Sequence, residues 1–328
     1  LDMTPLDRPD PELTYLFKSI VTQEVAYENL PYATRATLHE SVAHFIEDNL
    51  QAAPDQFVDL LAFHYARTTN EDKKRQYLLR AGEIAQSNYA NEAAVSYYEQ
   101  VIPLLSESEQ IAVMVKLGNV LSLVGDWQKA RDLYNEALLI SGRLNDLQGR
   151  ATCQCATAIL LRNQGQFDDA EAWFDRSRAN YEEINDSPGI GRVLQERGTL
   201  AAQRGNTADA QKMWVESLTI RKQLGDDRSI SALLSNLGIL ARWKGDYELA
   251  RRLYEESLEI RRELGDRWGI AVSLANLGYL ALHLGDLETA RHRLEETVNL
   301  NREVGDRRNL ANSLNELANV NRGEEDYP

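Results

Sequence analysis

The chain has 328 residues, with 36 lysines and arginines against 51 aspartates and glutamates, giving a formal net charge of −15 and a pI near 4.9. So acidic a balance excludes nucleic acid as an evident partner, because one polyanion repels another. Hydrophobic residues at 43%, charged residues at 27% and only eight prolines describe an ordered, helix-rich chain and exclude a disordered one.

At the amino end, Tyr15-Leu16-Phe17-Lys18 reads as a short strand, Val21 to Leu30 as a helix stopped by Pro31, and Tyr32 to Asp48 as a second helix. Leu1-Asp2-Met3 does not open a basic-then-apolar signal region. No stretch approaches the roughly 18 uncharged apolar residues of a spanning helix, so the expectation is a cytoplasmic chain with no membrane partner. Phe57 to Ala66 gives one more amphipathic helix before the polar turn Thr68-Thr69-Asn70-Glu71. Ala81-Gly82, Ala94 and Tyr98 then form a shorter helical repeat.

Beyond this a regular ruler sets in. Gly125-Asp126, Gly165-Gln166, Gly205-Asn206, Gly245-Asp246 and Gly285-Asp286 recur every 40 residues. A second series lies halfway between, at Asn145-Asp146, Asn185-Asp186, Gly225-Asp226, Gly265-Asp266 and Gly305-Asp306. Gly or Asn takes the left-handed conformation that ends a helix, and the next residue caps the following one. Between these marks the apolar spacing is helical, as in Leu233, Leu234, Leu237, Leu240 and Ala241, so each unit is an antiparallel helical hairpin. Helices of about 17 residues span about 25 Å.

The first helix of each pair carries a small residue at one phase: Gly118, Ala158, Gly198, Gly238, Gly278 and Ala318. The second carries Ala130, Ala170, Ala210, Ala250 and Ala290, with Tyr134, Phe174, Trp214, Tyr254 or Leu294 four residues on. A mid-helix glycine costs up to about 1 kcal/mol, so its recurrence predicts small-against-small packing with the large side chain as a wedge beyond the contact. Trp127, Trp173, Trp214 and Trp268 are expected in packing between helices. The chain ends at Glu325-Asp326-Tyr327-Pro328, in phase with Gly245-Asp246-Tyr247, so a further second helix is expected to begin there and Leu310, Leu314 and Leu317 to lack cover.

The residues Leu237-Gly238, Ala250, Tyr254 and again Leu277-Gly278, Ala290, Leu294 resemble tetratricopeptide repeats. The usual repeat of that family is 34 residues, and this is similar to its longer variety. The resemblance implies an all-α fold, a right-handed superhelix of antiparallel pairs, whose concave first-helix wall receives a peptide or protein segment. The run Tyr15 to Leu30, with Arg35, Leu38-His39, Tyr65-Ala66 and Tyr77 to Gly82, is similar to a linker in bacterial multidomain regulatory ATPases. There it closes a small winged-helix-like module before a repeat arm, often with nucleotide cyclase domains upstream. On that likeness the chain is the arm of a larger ATPase or cyclase, whose other domains become partners. The implied division is a winged-helix-like end over 1–50, shorter or degenerate helices over 51–107, and five 40-residue units plus a truncated sixth over 108–328.

Transferring the family's groove positions gives candidate contacts at Arg162, Arg192, Gln195, Asn236, Arg242, Trp243, Asn276, Tyr279 and His283, with Thr152 and Ser235 beside them. The asparagine amides could hold a peptide backbone or join adjacent helices, and the arginines could take an acidic or carboxyl-terminal peptide or pair with internal acids. Trp243 could anchor an apolar group or pack on its neighbour. A small-molecule sensor and a self-associating or autoinhibitory module are the alternatives.

Chemistry is not expected. No glycine is followed by lysine, so there is no phosphate loop, and no nucleophile elbow or paired zinc histidines occur. Cys153 and Cys155 sit two apart in a helix, too divergent to bridge, and are expected reduced and buried. No cofactor is implied. Acid pairs such as Glu255-Glu256 are expected on solvated helix faces.

Overall fold

In the computed structural model the described residues are 3–6, 14–17, 20–49 and 54–326. They contain sixteen α-helices and one two-stranded sheet. The chain divides into two compact units, Leu1–Ala130 and Arg131–Pro328.

In the first unit, β1 (Met3–Leu6) pairs antiparallel with β2 (Thr14–Phe17), in register Met3 to Phe17. The expected strand is therefore present through Phe17, with Lys18 outside the described residues. The helices α1 (Ile20–Glu28) and α2 (Tyr32–Asn49) flank Pro31 as its missing N–H and restricted φ demand. A short 3₁₀ turn (Pro54–Phe57) leads into α3 (Val58–Tyr65), followed by α4 (Glu71–Ser87), α5 (Asn91–Val101) and α6 (Glu107–Val124).

Glu47 on α2 ties this unit together. It accepts from Tyr65 Oη at 2.6 Å, from Lys73 Nζ at 2.6 Å and from the Tyr77 hydroxyl, joining α2 to α3 and α4. Burial pushes the carboxyl up, but the three hydrogen bonds and the lysine charge prevail, so its pKa is lowered. Tyr77 pays the reverse effect, its phenol pushed up to about 12 by burial and by Glu47.

A helix α7 (Trp127–Leu144) spans the unit boundary. The second unit then runs α8 (Leu147–Asn163), α9 (Phe167–Glu183), α10 (Ser187–Gln203), α11 (Thr207–Leu224), α12 (Asp227–Trp243), α13 (Tyr247–Glu263), α14 (Arg267–His283), α15 (Leu287–Val304) and α16 (Arg307–Asp326). Its helices pack as antiparallel pairs, α8 with α9 through α14 with α15, which is a tetratricopeptide-type solenoid.

The turns do what their residues predict. Gly245 has φ +80° and Asn145 and Asn185 have φ +54° and +55°, the left-handed values that close a helix. Each following residue works twice: the Asp246 N–H donates back to Ala241 O at 3.0 Å, while its carboxylate accepts from Leu249 N at 3.1 Å and caps the next helix. Asp146, Asp186, Asp226, Asp266, Asp286 and Asp306 cap in the same way. Where glycine is replaced at the last mark the turn is lost. Glu325 stands in its place, and α16 continues unbroken to Asp326. Leu314 is exposed as expected, whereas Leu310 and Leu317 are half-buried.

Packing within pairs differs from small against small. The large residue of the second helix lies directly on the glycine of the first: a Cβ at Gly238 would stand 2.6 Å from Tyr254 Cε1, and one at Gly198 2.6 Å from Trp214 Cδ1. The alanine at the earlier phase is fully buried beside it, as at Ala250. Glycine is thus present to seat a ring. Trp127 departs from expectation, being 43% exposed with its Nε1 donating to Ser122 O at 3.2 Å.

A second periodic feature ties the pairs. Ser177, Ser217 and Ser257, 40 apart and fully buried, donate to the carbonyls of Ala151, Gly191 and Ser231 on the preceding first helix at 2.7, 2.7 and 2.8 Å. Thr297 occupies the next position but bonds its own helix at Arg293 O.

Candidate functional site

The first helices of the second unit, α8, α10, α12 and α14, carry the candidate residues, and the structure sorts them by whether their polar atoms are already spent. Arg162 is spent: its Nη1 lies 2.6 Å from Glu196 Oε2 on α10 and also reaches Glu196 O. It fastens α8 to α10 and is not available to a ligand. Ser235, next to Asn236, is likewise internal, buried against Ser257 at 2.9 Å. Thr152 Oγ1 contacts the Tyr181 hydroxyl at 2.9 Å.

Arg192 and Arg242 differ. Among the described residues neither forms an ion pair, whereas Arg197 holds Glu171 and Asp175, and Arg204 holds Asp168. Burial works against the charge of Arg192, but the surrounding groups, the Glu196 carboxylate among them, more than offset it, so its pKa is raised. Arg242 stands beside Tyr254 and Tyr279. Burial raises both phenols, and the guanidinium offsets part of that rise at each. The side chains of Gln195 and Asn236, both half-buried, make no hydrogen bond among the described residues. Asn276 Nδ2 is buried with no partner.

Trp243 is 59% exposed at the end of α12. His283 occupies the matching position of α14, packs edge-on against Tyr247 at 5.4 Å between ring centroids, and meets its hydroxyl at 3.1 Å. The structure therefore brings Arg242, Trp243, Asn236, Asn276, Tyr279 and His283 to α12 and α14, and Arg192 with Gln195 to α10. Tyr254, read from sequence only as a packing wedge, is fully buried with no hydrogen-bond partner for its hydroxyl among the described residues.

Two shallow depressions lie elsewhere, one over α11 beside Lys244 and one at the turns around Asn145 and Ile184, and neither includes a candidate residue. Among the described residues no cluster of three His, Cys, Asp or Glu could hold a metal ion, and no helix is long and apolar enough to cross a membrane. Cys153 and Cys155 are buried free thiols, pushed up by burial to about 12 and about 11. Glu255 and Glu256 are solvent-exposed, as expected.

Stacked helical hairpins, ring-on-glycine seats and a polar first-helix face define a helical repeat protein. The tetratricopeptide repeat pattern matches residues 109–183, 149–223, 189–263 and 229–303, more than half of the sequence, and the chain belongs to the tetratricopeptide repeat family. Among solved structures it is similar to a Signal Transduction ATPase with Numerous Domains from Pyrococcus horikoshii that carries a tetratricopeptide repeat sensor. That match has TM-score 0.61 and 16% identity, and covers 91% of this chain and 45% of that one, so this chain spans under half its length. It is similar also to a Rap protein complexed with Competence and Sporulation Factor, at TM-score 0.61 and 13% identity over 92% of this chain and 97% of that one. A third is the Rap conjugation gene regulator of plasmid pLS20 with a Phr peptide, at TM-score 0.59 and 17% identity over 80% and 75%. Among curated proteins no sequence relative matches.

Proposed function

We propose that the second unit is a non-enzymatic scaffold that holds an extended or helical protein segment along α8, α10, α12 and α14, with an acidic or carboxyl-terminal group placed near its arginines. The observation that carries this reading is the contrast between spent and unspent groups. Arg162, Arg197 and Arg204 are paired internally, while Arg192 and Arg242 form no ion pair among the described residues and Trp243, next to Arg242 in the chain, is exposed. An unpaired guanidinium and an exposed indole are the two side chains that most often dominate binding energy. Two similar folds, the Rap proteins, were solved with a factor or peptide bound, which supports a peptide as the occupant.

The test is an array of decapeptides probed with the whole chain and with an Arg192→Gln/Trp243→Ala variant. Peptides bound by the native chain and lost by the variant are expected; binding that ignores both substitutions removes this face as the site. We propose further that the array serves as the regulatory arm of a larger ATPase or cyclase, supported by the sensor-bearing ATPase of like fold. Sequencing the gene upstream of Leu1 tests this, a phosphate-loop or cyclase domain being the expected outcome.

A further inference from the structure

In a chain of net charge −15, the first unit gathers positive groups in one place. His39 Nδ1 on α2 lies 2.8 Å from His64 Nδ1 on α3, and His39 Nε2 lies 2.8 Å from the Tyr27 hydroxyl on α1. An arginine joins this row at each side through a ring. The Arg35 guanidinium stands 5.1 Å from the centroid of the Tyr27 ring, which packs edge-on against His39 at 5.8 Å. The Arg67 guanidinium lies 3.7 Å from the centroid of the Phe63 ring, which meets His64 edge-on at 5.3 Å and His39 at 5.9 Å. Two guanidiniums and two imidazoles are thus linked contact by contact across three helices.

No acid balances them among the described residues, where neither Arg35 nor Arg67 forms an ion pair. The carboxylates on the elements packed here face other partners. Glu40 accepts from Asn70 Nδ2 at 3.3 Å, Glu47 is taken by Tyr65, Lys73 and Tyr77, Glu71 holds Lys74, and Asp72 holds Arg75. Arg67 Nη1 donates to Phe63 O at 2.8 Å, but Arg35 Nε is enclosed with no partner. The imidazole nitrogens and the Tyr27 oxygen are the acceptors at hand, and they bond one another and neither guanidinium. His64 Nε2 alone of the ring nitrogens has no partner among the described residues, and protonation makes it a donor.

A guanidinium held over a ring makes no hydrogen bond there, so its N–H groups stay available to an acceptor. An orphaned polar group in a native protein marks strain, function or a missing ligand. Two fixed positive charges beside an imidazole pair that takes up a third match a doubly negative group. Donors arriving from α2 and α3 suit a tetrahedral oxyanion, whose oxygens point in several directions, over a planar carboxylate that one guanidinium satisfies.

We propose that Arg35, His64 and Arg67, backed by His39, bind a phosphate group, either free or carried on a phosphorylated side chain. The site lies in the first unit and is independent of the peptide-binding reading of the second. Anion and proton bind together there, because the charged imidazole pair is what the anion favours.

The chain has only five histidines, so histidine ring signals of the whole protein report the site directly by proton NMR, with His39→Gln and His64→Gln assigning them. Phosphate, sulfate or succinate replaces chloride at constant ionic strength, which removes general screening. Sulfate keeps its double charge between about pH 8 and 6, where phosphate, with a second pKa of about 6, begins to lose it. Phosphate and sulfate should shift the His39 and His64 signals saturably, and sulfate should bind roughly fivefold or more tighter at about pH 6 than at about pH 8. Arg35→Gln and Arg67→Gln should each weaken binding roughly tenfold or more. Arg67→Gln should also make the free chain less sensitive to acid, since it takes a cation from beside the imidazoles; a merely structural arginine would do neither.

A phosphoserine pentapeptide that binds more tightly than inorganic phosphate assigns the group to a modified protein segment, and the reverse order assigns it to a small anion. Histidine signals that stay in place under phosphate and sulfate overturn the site. So do signals that move equally in the native chain and in Arg67→Gln, and succinate binding as tight as phosphate overturns the choice of a tetrahedral anion.

Discussion

The Ser257 hydroxyl of α13 donates to the Ser231 carbonyl oxygen of α12 at 2.8 Å, a side-chain bond between two helices. Ser257 Oγ also sits 2.9 Å from Ser235 Oγ and 3.2 Å from Ser273 Oγ, and Arg261 Nη1 donates to Ser273 Oγ at 2.8 Å. One buried hydroxyl thus links α12, α13 and α14. Ser257→Ala should cost about 1–3 kcal/mol, since it leaves several buried groups short of a partner. Ser177→Ala, which breaks a single bond to Ala151, should cost less. Urea unfolding of both variants checks the order, and equal losses would show that the network adds nothing to the single bond.

Gly238→Ala places a methyl group 2.6 Å from Tyr254 Cε1, inside contact distance. The ring is fully buried and cannot swing clear, so overpacking should cost about 1–3 kcal/mol despite alanine's better helix propensity. Gly238→Ala/Tyr254→Leu should recover most of that loss. A double variant no more stable than the single would mean that the ring is not what the glycine accommodates.

The first unit should lose stability on mild acidification. His39 Nδ1 lies 2.8 Å from His64 Nδ1, and His39 Nε2 lies 2.8 Å from the Tyr27 hydroxyl. Burial lowers the pKa of both imidazoles, and Arg67 lowers it further at each, with Arg35 and His64 acting also on His39. A histidine whose folded pKa is depressed prefers to fold neutral, so its contribution is full above the ordinary value of 6.5 and falls as pH drops through the folded value. Glu47 loses its contribution in a lower window, below the ordinary 4.5, as its three donors are cut off by protonation. Unfolding measured from pH 8 to 5 should show a slope that His39→Gln/His64→Gln flattens; an unchanged slope would assign the effect elsewhere.

Arg162 and Arg204 should separate under alanine substitution. Arg162 is largely buried between α8 and α10, and removing it strands Glu196, at a cost of about 2–4 kcal/mol. Arg204 meets Asp168 on open surface, where an exposed pair is worth about 0–1 kcal/mol. Thermal unfolding distinguishes them, and similar melting temperatures would contradict the assignment of Arg162 to the interior.

The punctuation was legible because its demands are local. A left-handed φ needs Gly or Asn, a helix start needs a short acceptor, and both lie next to each other in the chain. The ring seats were half legible: the period exposed Gly238 and Tyr254, but which group meets which depends on the angle at which α12 and α13 cross. The serine bonds could have been found, since Ser177, Ser217 and Ser257 keep the same 40-residue beat. Small polar residues in helices are common enough to hide that signal. The availability of each arginine could not be read at all. Arg162 and Arg242 share a phase, and only the acid that the next repeat happens to present, Glu196 opposite Arg162, separates a fastener from a free cation.

Cys153 and Cys155 are the only cysteines in the sequence, and both thiols are enclosed in α8 and held protonated by burial. A thiol-directed label added to the folded chain thus meets no reactive thiolate. One cysteine introduced at an exposed position such as Gln203 or Trp243 would carry the whole signal, and later modification of the two native thiols would time the opening of α8 against α9. The protein comes with a silent background against which the motion of one helix pair can be clocked.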